Sequence, residues 1–140
     1  MLRWRVDGAQ ALVLPKAAPP IRADDLWKTT CCELFVSLGE GRYREYNFSP
    51  SGQWAAWDFS GYRSRSGDHE PLAAPEITVD SGTSVFTQTV FLAAEELTGA
   101  NHAALTAVLA EDRRLSYWAL RHPRLEPDFH DPTCFVLPVP

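Results

Sequence analysis

Glu45-Tyr-Asn-Phe-Ser-Pro-Ser-Gly-Gln-Trp-Ala-Ala-Trp-Asp-Phe-Ser-Gly-Tyr-Arg63 reads as one strand, a tight turn and a second strand. Ser49-Pro50-Ser51-Gly52 suits the turn, because proline presets φ at its second position and glycine is favoured at its fourth. Tyr43–Ser49 and Gln53–Ser60 then form the arms of a hairpin. Trp54, Trp57, Tyr46, Tyr62, Asn47 and Arg63 crowd onto it, a denser set of aromatic, amide and charged groups than a hairpin needs to fill a core. Trp54 and Trp57 are three apart, so a regular strand sends them to opposite faces.

Outward from the hairpin, Cys31–Leu38 has strand alternation: Cys32, Leu34, Val36 and Leu38 make one apolar face, and Cys31, Glu33, Phe35 and Ser37 a mixed one. Gly39-Glu40-Gly41 turns the chain into the hairpin. Leu2–Val6 and Ala11–Leu14 read as strands around Asp7-Gly8. The segment 15–25, with Pro19-Pro20, reads as a surface loop, and Leu26–Thr30 as a short turn or the lead-in to a strand. The polar stretch 63–76 is expected to be a long loop. Glu76–Asp80 and Ser84–Leu92 read as strands and Ala93–Leu97 as one helical turn. Ala103–Glu111 fits helix or strand by periodicity alone. Thr106, Val108 and the strand-rich surroundings favour strand, followed by Leu115–Leu120. After an irregular stretch over 123–132, Cys134–Leu137 is expected to close the sheet. About nine short strands with almost no helix predict an all-β, two-sheet antiparallel sandwich or barrel.

The 140 residues, 45% hydrophobic and 22% charged, are those of one globular domain spanning 1–140. A formal charge of -5 with no run of Lys or Arg argues against nucleic acid, whose phosphates demand a basic patch. No stretch approaches the roughly eighteen apolar residues of a membrane-spanning helix. Met1-Leu-Arg-Trp-Arg-Val-Asp7 lacks the features of a secretory signal, so the expected location is the cytoplasm. Three cysteines, two of them adjacent, make no disulfide framework.

Four groups of residues can carry chemistry. Trp27, Trp54, Trp57, Trp118 and Tyr117 offer flat apolar plates for the face of a sugar ring, although rings of this size also fill cores. Glu33, Glu45, Asn47, Arg44 and Arg63 supply the carboxylates, amide and guanidinium groups that bond sugar hydroxyls, or a solvated sheet face with cross-strand ion pairs. If the strands at 31–38 and 43–49 pair, Glu33 and Asn47 share a face. A glycosidase needs two carboxylates at a set separation, and no acid–base pair stands out. His122, Asp128, His130, Asp131 and Cys134 are metal-ligand types, but their spacing matches no compact zinc pattern. Nucleophilic catalysis has no support: Gly-x-Ser-x-Gly is absent, Ser51 lies in a hairpin turn, and no phosphate-binding glycine loop occurs.

Leu26-Trp27, Cys32-Glu33-Leu34-Phe35-Val36, the run from Tyr43 to Trp54, Ser116-Tyr-Trp-Ala-Leu-Arg-His-Pro123 and Pro127-Asp-Phe-His130 together resemble bacterial DOMON-like proteins, which are related to family 9 carbohydrate-binding modules. The resemblance runs from about Trp27 to Cys134, each motif weak alone and specific in combination. It implies a jelly-roll-like antiparallel β-sandwich, with a strand upstream of the one that opens this chain. In the sugar-binding relatives a saccharide end is clamped between two tryptophans with acidic and amide groups on its hydroxyls. Some relatives hold structural calcium. A haem-binding branch uses Met and His, and the only methionine here is Met1.

The expectation is a non-catalytic module that binds a small saccharide by aromatic stacking, with Trp27, Glu33, Asn47, Trp57, Arg63 and Trp118 as ligand-binding residues. It assigns no catalytic residue and no metal, with His122, Asp128 and His130 as the weak candidates, and leaves calcium as the one open cofactor. The rivals are an interaction or scaffold domain without a small ligand, and a haem- or metal-binding redox domain.

Overall fold

The strand predicted over 31–38 is β2 (Cys31–Gly39) in the computed structural model, which describes Met1–Pro140. Numbered along the chain, the strands are β1 (Leu2–Asp7), β2, β3 (Arg42–Phe48), β4 (Trp54–Gly61), β5 (Ser64–Asp68), β6 (Glu76–Ser81), β7 (Val85–Phe91), β8 (His102–Glu111), β9 (Arg114–Ala119) and β10 (Leu137–Pro138). They form two antiparallel sheets, a small one in the order β1-β7-β6 and a large one in the order β10-β8-β2-β3-β4-β5. β9 pairs with β8 along residues 106–111, and β10 pairs with it at residues 102 and 103, on the edge opposite β2. The protein is therefore an all-β sandwich whose only helical pieces are short 3-10 turns.

The turns follow the local chemistry. Gly39, Glu40 and Gly41 all have positive φ, so the β2–β3 turn uses its two glycines where other residues would be strained. In the β3–β4 turn the Gly52 amide donates to the Ser49 carbonyl at 3.0 Å. Arg63, with φ 53°, and Asp112, with φ 48°, make the β4–β5 and β8–β9 turns.

Alternation along β2, β3 and β4 builds two separate cores. Leu34, Val36, Tyr46, Phe48, Trp54 and Ala56 face the small sheet, where Leu2, Trp4, Ile77 and Val90 close over them. Phe35, Tyr43, Ala55, Trp57 and Phe59 face the other way, onto no second sheet. Loop residues cover that face: Leu26 from a 3-10 turn (Leu26–Lys28), and Phe129, Cys134 and Phe135 from the C-terminal segment. Removing a side chain such as Phe35 from water is worth about 1.5–3 kcal/mol, so this cover stabilises the fold as well as shaping its surface.

Several expectations need correction. Ala11–Leu14 is not a strand: a 3-10 turn (Ala9–Ala11) leads to one isolated bridge, Leu12 with Glu111. The predicted loop 63–76 begins with β5, whose residues are all exposed. Backbone pairing with the edge of β4 makes that strand, with no apolar face to announce it. Cys134 lies in a 3-10 turn (Pro132–Cys134), and the closing strand shrinks to Leu137–Pro138. Ala93–Leu97 does turn helically, as a 3-10 turn over Ala94–Leu97. No helix is long and apolar enough to cross a membrane.

Candidate functional site: a polar-floored aromatic cleft

The face of the large sheet that meets loops is incompletely covered, and a cleft of about 380 Å³ opens there. Its floor comes from side chains of like parity on neighbouring strands. The register pairs Glu33 with Asn47 and Phe35 with Glu45 between β2 and β3, Glu33 with Thr106 between β2 and β8, and Val108 with Tyr117 between β8 and β9. Glu33, Glu45 and Val108 thus point into one space, walled by Trp27, Phe59, Tyr117 and Phe129 and edged by Arg63, Arg65 and His130.

The two carboxylates are diagonal neighbours on adjacent strands. Glu33 is only 3% exposed, and its Oε2 accepts a hydrogen bond from the Thr106 hydroxyl at 3.1 Å. No cation pairs with it, so burial, and next the charge of Glu45, push its pKa up to about 8. Glu45 is also raised, by burial above all, although Asn47, Arg65 and Arg63 pull the other way. Its Oε1 accepts from Asn47 Nδ2 at 2.8 Å.

His130 stands at the opposite side. Tyr43 Oη lies 2.7 Å from His130 Nδ1 and accepts the Arg63 amide hydrogen at 3.1 Å. The arrangement that uses every hydrogen sends the Tyr43 proton to Nδ1, leaving Nε2–H of a neutral ring facing Glu45 Oε2 at 3.7 Å. Burial first, and then the charge of Arg63, lower the His130 pKa to about 4, which keeps that ring neutral. The loop carrying His130 is tied across the cleft mouth by Asp128, which pairs with Arg63 at 2.8 Å and accepts from the Tyr62 hydroxyl. Burial alone would raise the Asp128 pKa, but the hydrogen bonds from Tyr62 and Arg63 outweigh it and leave it lowered.

Of the six residues expected to bind the ligand, Trp27, Glu33 and Arg63 line this cleft, as do Glu45, Tyr117 and His130 from the wider candidate groups. Trp27 is 44% exposed, enough to offer a ring face. Asn47 is buried beneath the floor, where it bonds Glu45 and receives the Cys31 thiol. Trp57, 3% exposed, lies under the Arg65 guanidinium, 4.3 Å from its ring centroid, and has no open face. Trp118 is 60% exposed but points to the opposite face, opposite Ala107, where it borders a separate recess with Trp4 and Cys32. Its neighbour Tyr117, 40% exposed, faces the cleft instead. Phe59, Arg65 and Phe129 complete the cleft without having been singled out. Phe59 could have been found two residues from Trp57, on the same face; Arg65 could not, since β5 carries no apolar pattern.

The metal-ligand types do not converge. His122 lies against the Phe129 ring, while both oxygens of Asp128 are taken by Arg63, Tyr62 and the His130 amide. Asp131 is engaged by Thr133 and by Arg124, 3.2 Å away. These aspartates do not present the several free oxygens that calcium takes.

No protein-family model matches the chain, and no curated protein matches it. Among solved structures, a "putative carbohydrate-binding protein" from Bacteroides uniformis is similar over 95% of this chain and 67% of its own, with a TM-score of 0.53 and 15% sequence identity. At that identity the likeness concerns the fold.

Proposed function

We propose that this β-sandwich binds a saccharide in the Trp27–Tyr117 cleft and does not turn it over. The observation that carries the reading is one cleft in which two partly exposed rings stand above buried hydrogen-bonding groups. A sugar ring presents an apolar face to Trp27 or Tyr117 and its hydroxyls to Glu33, Glu45 and the His130 Nε2–H. Glu33, still holding a proton near neutral pH, donates where Glu45 accepts, so neighbouring hydroxyls of opposite sense are both satisfied. The fold-level likeness to a protein described as carbohydrate-binding is consistent with this use.

Two carboxylates in a sugar-sized cleft also raise the question of hydrolysis. A glycosidase needs its pair on either side of the scissile bond, one as acid and one as nucleophile or base. Glu33 and Glu45 rise from adjacent strands of a single floor, both buried and each held by a neighbour, Thr106 or Asn47. That geometry favours holding a ligand over cleaving it.

The test is titration of the folded protein with a broad panel of mono- and oligosaccharides, read by tryptophan fluorescence and calorimetry. Binding is expected with an affinity that Trp27→Ala weakens by about tenfold, the loss of roughly one stacked ring. No response to any sugar from a protein shown to be folded sinks the proposal.

A further inference from the structure

Arg65 covers a buried ring but has no anionic partner. It projects from the exposed edge strand β5, opposite Phe59 on β4, and its guanidinium lies 4.3 Å from the Trp57 ring centroid and 5.9 Å from that of Phe59. Other arginines on this hairpin have anionic partners: Arg44 pairs with Asp58 at 2.7 Å and Arg63 with Asp128 at 2.8 Å. Arg65 has none within ion-pair distance. Glu45 feels its charge but is turned elsewhere, one oxygen on Asn47 and the other toward His130.

A guanidinium stacked on a ring is held flat while the N–H groups at its edge stay free. Here the ring beneath is a buried Trp57, a fixed plate that favours this placement of the guanidinium at the cleft before any ligand arrives. An unpaired fork so placed matches a planar carboxylate through two parallel hydrogen bonds, a match that a neutral hydroxyl does not make. Arg63 on the neighbouring turn also lines the cleft, but its charge is already paired with Asp128, which leaves Arg65 as the free cation.

We propose, resting on the saccharide reading above, that the ligand is an acidic saccharide whose uronic-acid carboxylate takes the free edge of Arg65 while the sugar ring lies over the cleft floor toward Trp27 and Tyr117. Of the two floor carboxylates, Glu33 retains its proton at neutral pH, and Glu45 has its oxygens on Asn47 and toward His130, turned from the Arg65 edge. The chain carries a formal charge of -5, so the molecule as a whole does not attract an anion. The preference has to come from the local charge of Arg65, and it is expected to weaken with salt.

The experiment compares matched neutral and uronate oligosaccharides of equal length, glucose with glucuronate, galactose with galacturonate and mannose with mannuronate, by calorimetry on the intact chain. In at least one pair the uronate is expected to bind about tenfold or more tightly than its neutral partner. Arg65→Gln should remove most of that margin, and Arg65→Lys, which keeps the charge and loses the fork, should restore only part of it. Arg113→Gln, in the exposed β8–β9 turn away from the cleft, should leave the margin intact. Thermal melts confirm that each variant is folded. Equal affinity within every pair, or a margin that survives Arg65→Gln, overturns the acidic-sugar inference while leaving saccharide binding standing. Failure of all sugars, neutral and acidic, overturns both.

Discussion

Glu33 is buried and His130 half-buried on one cleft, each shifted toward its neutral form, and the two shifts oppose each other in how stability depends on pH. Glu33 goes from an ordinary 4.5 up to about 8. Below about pH 4.5 it is protonated folded or unfolded and costs nothing. Between there and about 8 the unfolded chain sheds the proton while the fold keeps it, so stability falls as pH rises. His130 goes from 6.5 down to about 4, so the unfolded chain gains a proton that the fold refuses, and stability falls as pH drops through that window. The two slopes oppose each other between about 4.5 and 6.5, and above 6.5 only that of Glu33 remains. The melting temperature is expected to be nearly flat over the first window and to decline from about pH 6.5 to 8. Glu33→Gln keeps an acceptor for Thr106 and removes the titration, so it should abolish the decline and stabilise the fold at pH 8 by on the order of a few kcal/mol. A variant whose melting curve tracks the parent at every pH would show that Glu33 ionises normally.

At the scale of elements, the period of two decides which aromatic serves the cleft. β9 pairs with β8 so that Tyr117 stands opposite Val108 on the cleft face and Trp118 opposite Ala107 on the other. Tyr117→Ala is therefore expected to weaken saccharide binding about tenfold, whereas Trp118→Ala should change it less than about twofold. The reverse order, measured by calorimetry, would mean that the ligand is held on the Trp118 face of β9 and not in the cleft. The same alternation made much of the architecture legible. Cys32, Leu34 and Val36 read as one apolar face, and that face is the one packed against the small sheet. The split of Trp54 from Trp57 was equally plain, and they lie in different cores. What alternation cannot tell is which face of a strand opens to solvent when both are lined with rings. Trp118 is expected to stack on a sugar, yet the register of β9 turns it away from the polar-floored cleft toward a separate recess on the other face. β5 was illegible for a related reason: Ser64, Arg65 and Ser66 bury nothing, and only pairing with β4 makes them a strand.

Across the whole molecule, the two faces of the large sheet are supported in unequal ways. One is sealed by the hydrogen-bonded small sheet; the other is covered by side chains from irregular segments, chiefly Leu26, Phe129 and Phe135. Phe135 stacks on Phe35 at 5.9 Å and meets Tyr43 edge-on at 5.6 Å, close to the Tyr43–His130 bond that positions the cleft wall. Phe48, by contrast, is buried between the sheets, stacked near Tyr46 at 6.0 Å and against Trp4 at 6.1 Å. Truncating either ring to alanine should cost about 3–5 kcal/mol if its surroundings cannot collapse. Segments without sheet pairing relax more readily, so Phe135→Ala is expected at or below the lower end of that range and Phe48→Ala toward the upper. The difference should also show in which part of the molecule responds. Loss of Phe135 should raise amide exchange over 126–136 and weaken ligand binding while the exchange of β2 and β3 stays slow, because local opening of the cover does not require the sheets to part. Loss of Phe48 should speed exchange in both sheets together. Equal acceleration throughout the chain in the Phe135 variant would mean that cover and sandwich open as one unit, and that the cleft is as rigid as the sheets beneath it.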